Sequence, residues 1–231
     1  MAIKLSKNLE VVKKLVNEEK FYKLDEAITL AKKTSFVKFD ATLDIAFKLN
    51  LDTKQADQQL RGSVSLPNGT GKSVKVLAAT EDAEAQKSAK TAGADIVVGT
   101  IGLTEILKSE KFDFDLIVTD PKMMPTLGRF GKALGPKGLM PNPKTGTVTP
   151  NLAKAIKEIK KGKANYRTEK NGIIHTIIGK VSMDDKKLLE NANVIFETIM
   201  KLKPNSIKGN YLKTFSISTT MGPSIKILIE R

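Results

Sequence analysis

Val74-Lys75-Val76-Leu77-Ala78, Thr80-Glu81-Asp82-Ala83-Glu84 and Ala94-Asp95-Ile96-Val97-Val98 follow one another closely, and the period of the apolar residues changes from one run to the next. The first run suits a buried strand. Thr80 can cap a helix whose first turn carries Glu81, Asp82 and Glu84, acids placed where the helix dipole favours them. The alanine-rich run through Ala89 stops at Gly93, and the third quoted run is the next strand. Further on, Gly99 to Gly102 turn, Thr104 to Ser109 form a short helix and Leu116-Ile117-Val118 a third strand. Strands alternating with helices imply right-handed crossovers and a mainly parallel sheet, hence a three-layer, Rossmann-like α/β unit.

Parallel sheets of this kind often carry nucleotides. Gly69-Thr70-Gly71-Lys72-Ser73 resembles the end of a P-loop, but Leu66 stands where the motif needs its first glycine. The run also precedes the strand, where no helix N-terminus can meet a phosphate. The turn Ala78-Ala79-Thr80 lacks the glycines of a dinucleotide fingerprint. Neither motif supports a nucleotide site.

On either side of this unit the period changes again. Ser6 to Lys20 and Leu24 to Lys33 read as helices, with apolar stripes of Leu9, Val12, Leu15 and Val16, and of Leu24, Ala27, Ile28 and Ala31. Leu43, Ile45, Phe47 and Leu49 alternate with Thr42, Asp44, Ala46 and Lys48, which predicts a strand with one buried face. Ser63 to Leu66 is a further short strand. Near the other end, Thr149-Pro150 opens a helix with Leu152, Ile156 and Ile159 on one face. Tyr166 and the run Gly172 to Ile178 predict a hairpin joined near Asn171-Gly172. Asp184 to Met200 is a long helix, and Lys213 to Ser218 and Ser224 to Ile229 are two last strands around Thr220-Met221-Gly222-Pro223.

Neither end alone has the strands for a stable sheet. Together they make a discontinuous α+β domain with an antiparallel sheet, residues 1–68 and 162–231, into which the α/β domain, residues 69–161, is inserted. The crossings fall at Pro67-Asn68-Gly69 and Lys161-Gly162-Lys163, both turn-rich.

Charge narrows the function. The 231 residues hold 39 Lys and Arg against 25 Asp and Glu, a formal +14, which points to a polyanionic partner. Only Arg61, Arg129, Arg167 and Arg231 are arginine, so the surface favours contact with phosphate over reading of base edges. The excess is local. Thr80 to Asp120 carries four basic and nine acidic residues, and Pro121 to Lys163 ten basic residues and only Glu158. There is no Cys and one histidine, His175, which is read as structural; no metal or cofactor is expected. No apolar run approaches the length of a membrane span and no signal segment follows Met1, so a cytoplasmic protein without membrane contact is expected.

From Asp120 to Thr147 prolines and glycines recur every few residues with Lys122, Arg129, Lys132, Lys137 and Lys144 between them. Such a stretch excludes long helices and strands and offers a basic surface held by turns. Gly135-Pro136-Lys137-Gly138 also fits the loop that clamps RNA backbone in KH domains, but lacks their flanking helices.

Lys38-Phe39-Asp40-Ala41-Thr42, Arg61-Gly62-Ser63-Val64-Ser65-Leu66-Pro67, Leu134-Gly-Pro-Lys-Gly-Leu-Met-Pro-Asn-Pro-Lys144 and Ser218-Thr-Thr-Met-Gly-Pro223 resemble ribosomal protein L-one, above all its bacterial form. The likeness runs nearly end to end. It implies a discontinuous first domain that grips a 23S rRNA stem, and an inserted α/β second domain. It further implies a mobile stalk beside the tRNA exit site of the large subunit, help in releasing deacylated tRNA, and repression of translation through the protein's own mRNA. The protein is then expected to be ribosome-associated, and a monomer when free. Carried over by position, the RNA-binding surface comprises Lys38, Phe39, Thr42, Lys48, Thr214, Ser216, Thr220, Met221 and Gly222. A turn of small residues lets backbone approach RNA, and hydroxyls suit ribose and phosphate. Three of them also have a plain structural reading: Phe39 as core, Met221 as packing, Gly222 as a turn residue. Arg129, Lys132, Lys137 and Lys144 form the expected basic surface of the second domain, facing rRNA or passing tRNA.

Two rival functions remain. A nucleotide-binding α/β enzyme is opposed by the failed phosphate loops and the lone histidine. A general cationic chaperone or membrane-surface binder predicts affinity for any polyanion with no preferred RNA.

Overall fold

Along the chain the elements are α1 (Lys7–Lys13), α2 (Leu24–Lys33), β1 (Thr42–Leu49), β2 (Arg61–Ser65), β3 (Val76–Ala79), α3 (Ala83–Thr91), β4 (Ile96–Val98), α4 (Thr100–Lys108) and β5 (Leu116–Thr119). After them come α5 (Met124–Arg129), α6 (Gly131–Leu134), α7 (Leu152–Lys160), β6 (Lys163–Arg167), β7 (Ile173–Lys180), α8 (Asp185–Lys201), β8 (Leu212–Thr219) and β9 (Ile225–Lys226). The computed structural model describes residues 7–17, 19–109, 112–204, 207 and 209–229. The protein is a mixed α/β chain with two compact units, Met1–Lys72 with Ala164–Arg231, and Ser73–Lys163.

The discontinuous unit is built on an antiparallel sheet in the order β7-β1-β8-β9. Its inner face carries Leu43, Ile45, Phe47 and Leu49, all buried, under α2 and α8. Phe47 stacks on Phe215 with ring centres 4.7 Å apart, and Phe196 of α8 lies 5.7 Å from Phe215. Asn191, fully buried on α8, leaves no polar atom idle. Its amide nitrogen donates to the carbonyls of Ile178 and Gly69 at 2.9 Å, and its oxygen accepts from the Asn68 N–H at 3.2 Å.

Several sequence expectations for this unit change. The first helix ends at Lys13, short of Lys20, and its expected start at Ser6 lies outside the described residues. Beyond it Asn17 turns the chain: its side chain accepts from the Glu19 N–H at 3.0 Å, and its own N–H donates to the Tyr22 hydroxyl. Side chains of this type compete with helix hydrogen bonds. Leu15 therefore leaves the apolar stripe and is exposed, while Val12 and Val16 stay buried. The expected hairpin closes only at its turn, through the Glu169 N–H to Ile173 and a bridge between Thr168 and Ile174. β6 pairs with β2 in a separate two-stranded sheet. β9 has two residues; beyond it the Ile227 N–H still donates to the Phe215 carbonyl of β8 at 2.9 Å, while the Leu228 N–H donates to the Tyr22 carbonyl at 2.8 Å.

In the inserted unit β3 is the centre of a parallel sheet ordered β4-β3-β5. Val76 and Ala78 join the core made with Ala89 of α3 and Ile156 and Ile159 of α7. Leu77 and Ala79 join the opposite core, with Leu103 and Leu107 of α4 and Leu127 of α5. Both faces are covered, which is why β3 reads as an unbroken apolar run.

Here too the caps differ from expectation. The residue at the cap position of α3 is Asp82, and Thr80 stands two residues earlier, its hydroxyl donating to Asp120 while accepting from the Asp82 N–H at 3.3 Å. α4 begins at Thr100, so Gly99 to Gly102 is not a free turn. Gly102 lies inside this helix, where an added Cβ would meet Val98 at 3.4 Å. α7 starts after Pro150, with Asn151 accepting from the Lys154 N–H at 3.2 Å. The Gly/Pro stretch holds only short pieces: α5, α6 and the 3-10 turns Pro121–Met123 and Pro143–Thr145.

Candidate nucleic-acid interface

With α2 and α8 on the inner face, the outward positions of the antiparallel sheet form rows set by its register. Lys48 lies between Ile173 and Thr214, and Asp44 between Ile177 and Ser218. The middle row is His175, Ala46, Ser216 and Lys226. At roughly 4.8 Å between strands and about 6.7 Å between rows, these positions make a face of hydroxyls and small side chains along β1 and β8, with Ile173, His175 and Ile177 along β7 and lysines at its margin. The shift in pairing after Lys48 leaves Lys213 unpaired and exposed, a β-bulge that adds another cation.

One end of this face is closed by two segments distant in sequence. The Thr42 N–H donates to the Thr220 hydroxyl at 3.1 Å, and the Thr220 N–H to the Thr42 carbonyl at 3.0 Å. Just before Thr42, Asp40 is fastened to the turn after β7, its carboxylate accepting from the Ser182 N–H at 3.1 Å and hydroxyl at 2.9 Å. The Lys180 ammonium donates to the Asp40 carbonyl at 3.0 Å. Held this way, Lys38 and Phe39 project, and Phe39 is 58% exposed, so it is not a core residue.

The second segment is strained. Met221, 67% exposed, has φ of 68°, alone among described non-glycine residues in being left-handed. Such a conformation in a side chain without burial is maintained at a cost of order 1–3 kcal/mol and clusters at functional sites. Packing therefore does not explain Met221. Gly222 does have a steric role: an added Cβ would stand 2.1 Å from the Thr219 hydroxyl oxygen.

Every residue named from the first-domain resemblance falls on this face or at this end: Lys38, Phe39, Thr42, Lys48, Thr214, Ser216, Thr220, Met221 and Gly222. The sequence does not single out Ser218, Lys213 or Lys226, and His175 reads there as structural. His175 is exposed, in the same row as Ser216, and period two along Ile174-His175-Thr176 was the available signal. The acid on the face is Asp44. Partial burial raises its pKa above the usual carboxylate value, and the nearby His175 works against that rise.

The second-domain cations are arranged differently. Arg129 ends α5 and Lys132 lies in α6, both exposed. Lys137 sits 4.1 Å above the Phe112 ring, so it also has a structural role. Lys144 occupies the Pro143–Thr145 turn. That turn is tied to Thr147, whose carbonyl accepts from Thr119 at the end of β5.

The carboxyl ends of a parallel sheet are where such folds usually take a nucleotide. Here Thr80 donates to Asp120, Thr100 donates to Glu81, and the Gln86 amide donates to the Thr80 carbonyl at 2.8 Å. The polar groups satisfy one another, and the carboxylates would repel a phosphate. Among the described residues no three His, Cys, Asp or Glu side chains are grouped to hold a metal ion, and no helix is long and apolar enough to cross a membrane.

Comparison with known proteins places the chain among the ribosomal proteins. It matches the Ribosomal protein L1p/L10e family over residues 31–223. It is 66% identical to the large ribosomal subunit protein uL1 of Mycoplasma mobile, over the whole of both chains. It is 63% identical to that of Mycoplasmopsis pulmonis, over 98% of this chain and 99% of the relative, and 61% identical to that of Metamycoplasma arthritidis, again over both whole chains. The chain belongs to the ribosomal protein L1p/L10e family. Its function is that of an RNA-binding ribosomal protein in translation, and the enzyme alternative finds no support.

Proposed function

We propose that this chain is a constituent of the large ribosomal subunit that grips a 23S rRNA stem with the open sheet face of its discontinuous domain. In this reading residues 1–68 and 162–231 form the RNA-binding domain and residues 69–161 a Rossmann-like insert. The compact units and the β4-β3-β5 strand order support that division. The observation that carries the proposal is the end of the face, where exposed Phe39 and left-handed Met221 flank the Thr42–Thr220 hydrogen bonds. Phe39 offers a ring for base stacking, Lys38 and Lys48 offer charge to phosphate, and Thr42, Thr214, Ser216 and Thr220 suit ribose hydroxyls.

From the bound stem the protein forms the mobile stalk near the tRNA exit site and assists release of deacylated tRNA. Arg129, Lys132, Lys137 and Lys144 of the insert face rRNA or the departing tRNA. The same face binds the protein's own mRNA and represses its translation, so the two RNAs compete. The free protein is a cytoplasmic monomer that becomes ribosome-associated. Replacing both Thr220 and Met221 by alanine should weaken binding of a stalk-region 23S fragment about 30-fold or more, the usual scale of a binding hot spot. A message fragment should lose affinity in parallel. Unchanged affinity for the 23S fragment in a folded double variant would refute this assignment of the face.

A further inference from the structure

We propose that the solvent face of α7, with the neighbouring α3, is a second phosphate-binding surface, fitted to the backbone of double-helical RNA. α7 buries Leu152, Ala155, Ile156 and Ile159 and turns Lys154, Lys157 and, at its end, Lys161 to solvent. These three lie at i, i+3 and i+7, one stripe about 10 Å long at a rise of about 1.5 Å per residue. The acid of this helix, Glu158, pairs with Lys163 at 3.5 Å, and Lys160 pairs with Asp95 at 3.1 Å. Lys154, Lys157 and Lys161 have no ion-pair partner among the described residues, and α3 beside α7 adds exposed Lys87 and Lys90.

The fold alone does not call for this stripe. Like charges three or four residues apart on a helix destabilise it. The helix dipole favours lysine near the C-terminus, which accounts for Lys157, Lys160 and Lys161, but it disfavours Lys154 in the first turn, where acids are preferred. A cation kept there without an internal partner is what an external anion explains.

The chemistry of the face selects among polyanions. The apolar stripe of α7 is packed on the sheet, so the helix has nothing to insert into a membrane. α3 and α7 contain no aromatic residue to stack single-stranded bases and no arginine to fork onto base edges. Lysines in a row on a straight helix remain suited to the phosphates of a duplex.

The test uses the full chain and a 20-base-pair RNA duplex of arbitrary sequence. Wild type is compared with the combined Lys154→Gln, Lys157→Gln, Lys161→Gln variant and with a charge-matched Lys33→Gln, Lys54→Gln, Lys186→Gln variant. Three lost contacts at about 0.9 each should reduce the slope of log affinity against log salt by about 2.7 in the first variant, and by less than one in the second. Equal reductions in both variants, or none in the first, would overturn the proposal. Lys154→Glu guards against a folding artefact, since an acid in the first turn should raise helix stability while weakening duplex binding. Preference for the stalk fragment over scrambled RNA should be untouched by the α7 variant, so this surface and the sheet face can fail independently.

Discussion

The parallel sheet and the four-stranded antiparallel sheet of this protein meet solvent in different ways. β3, at the centre of the parallel sheet, has helices on both faces, and all four of its residues are buried. β1 occupies an inner position in the antiparallel sheet, but only its Leu43, Ile45, Phe47 and Leu49 side is covered. A sheet wrapped on both faces has no face to offer, so any partner of the inserted unit must meet helices and loops. A sheet left bare on one face presents a rigid grid of side chains at fixed spacing, suited to a structured RNA stem.

One substitution in each sheet separates the covered face from the bare one. Ala78→Glu puts an unpaired carboxylate between two packed layers and should cost about 4 kcal/mol or more, unfolding the inserted unit. Ala46→Glu, on the bare face, should leave the melting temperature nearly unchanged and weaken stalk-fragment binding at least tenfold, because it sets a carboxylate among the phosphates. Thermal unfolding with RNA titration of both variants decides it; equal destabilisation would mean that the outer face is not free.

A smaller effect is expected at Met221. Met221→Gly relieves the left-handed strain and loses little packing, so stability should hold or rise by about 1 kcal/mol. RNA affinity should nevertheless fall. Loss of stability and affinity together would make Met221 a packing residue after all.

The smallest effect concerns Asp44. Its folded pKa is raised above the unfolded value by partial burial, with His175 opposing the rise. Ionisation of Asp44 therefore costs stability at neutral pH, and that cost disappears as pH falls through the folded pKa toward the unfolded value near 3.8. Asp44→Asn should be slightly more stable than wild type at pH 7, with the gap closing toward pH 4. A gap that widens on acidification would reverse the sign assigned here. The same variant removes a negative charge from the face and should bind RNA slightly more tightly.

Strands with a clear period were legible in the sequence. The alternation over Thr42 to Leu49 and the apolar run at Val76 to Ala79 depend on which faces are buried, and residue type reports that directly. Helix ends were less legible, because a cap depends on competing partners. Thr80 does accept a backbone N–H, that of Asp82, but the helix begins only after Asp82, and the contact of Thr80 with Asp120, forty residues later, leaves no mark in a local window. Pro150 gave way to Asn151 for a similar reason: the side chain that accepts the Lys154 N–H sets the start. β6 was assigned to a local hairpin, and its pairing with the distant β2 leaves no mark in a local window.

The site divides the same way. Small and hydroxyl-bearing residues at alternate positions of β1 and β8 could be read from their period. Phe39 could not, since phenylalanine usually signals a core; its exposure follows from Asp40 being anchored to Ser182, 142 residues away. Nor does residue type announce that Met221 is left-handed, or that His175 lies in a row with Ser216 and Lys226.

In the proposed function the bare sheet face recognises a particular RNA and is more than an electrostatic coat. Its most direct test is a salt titration of the intact protein with a stalk-region 23S rRNA fragment and a scrambled RNA of equal length. The expected result is a large preference for the stalk fragment that persists at salt concentrations where the scrambled RNA no longer binds. Equal affinities that fade together as salt rises would contradict it.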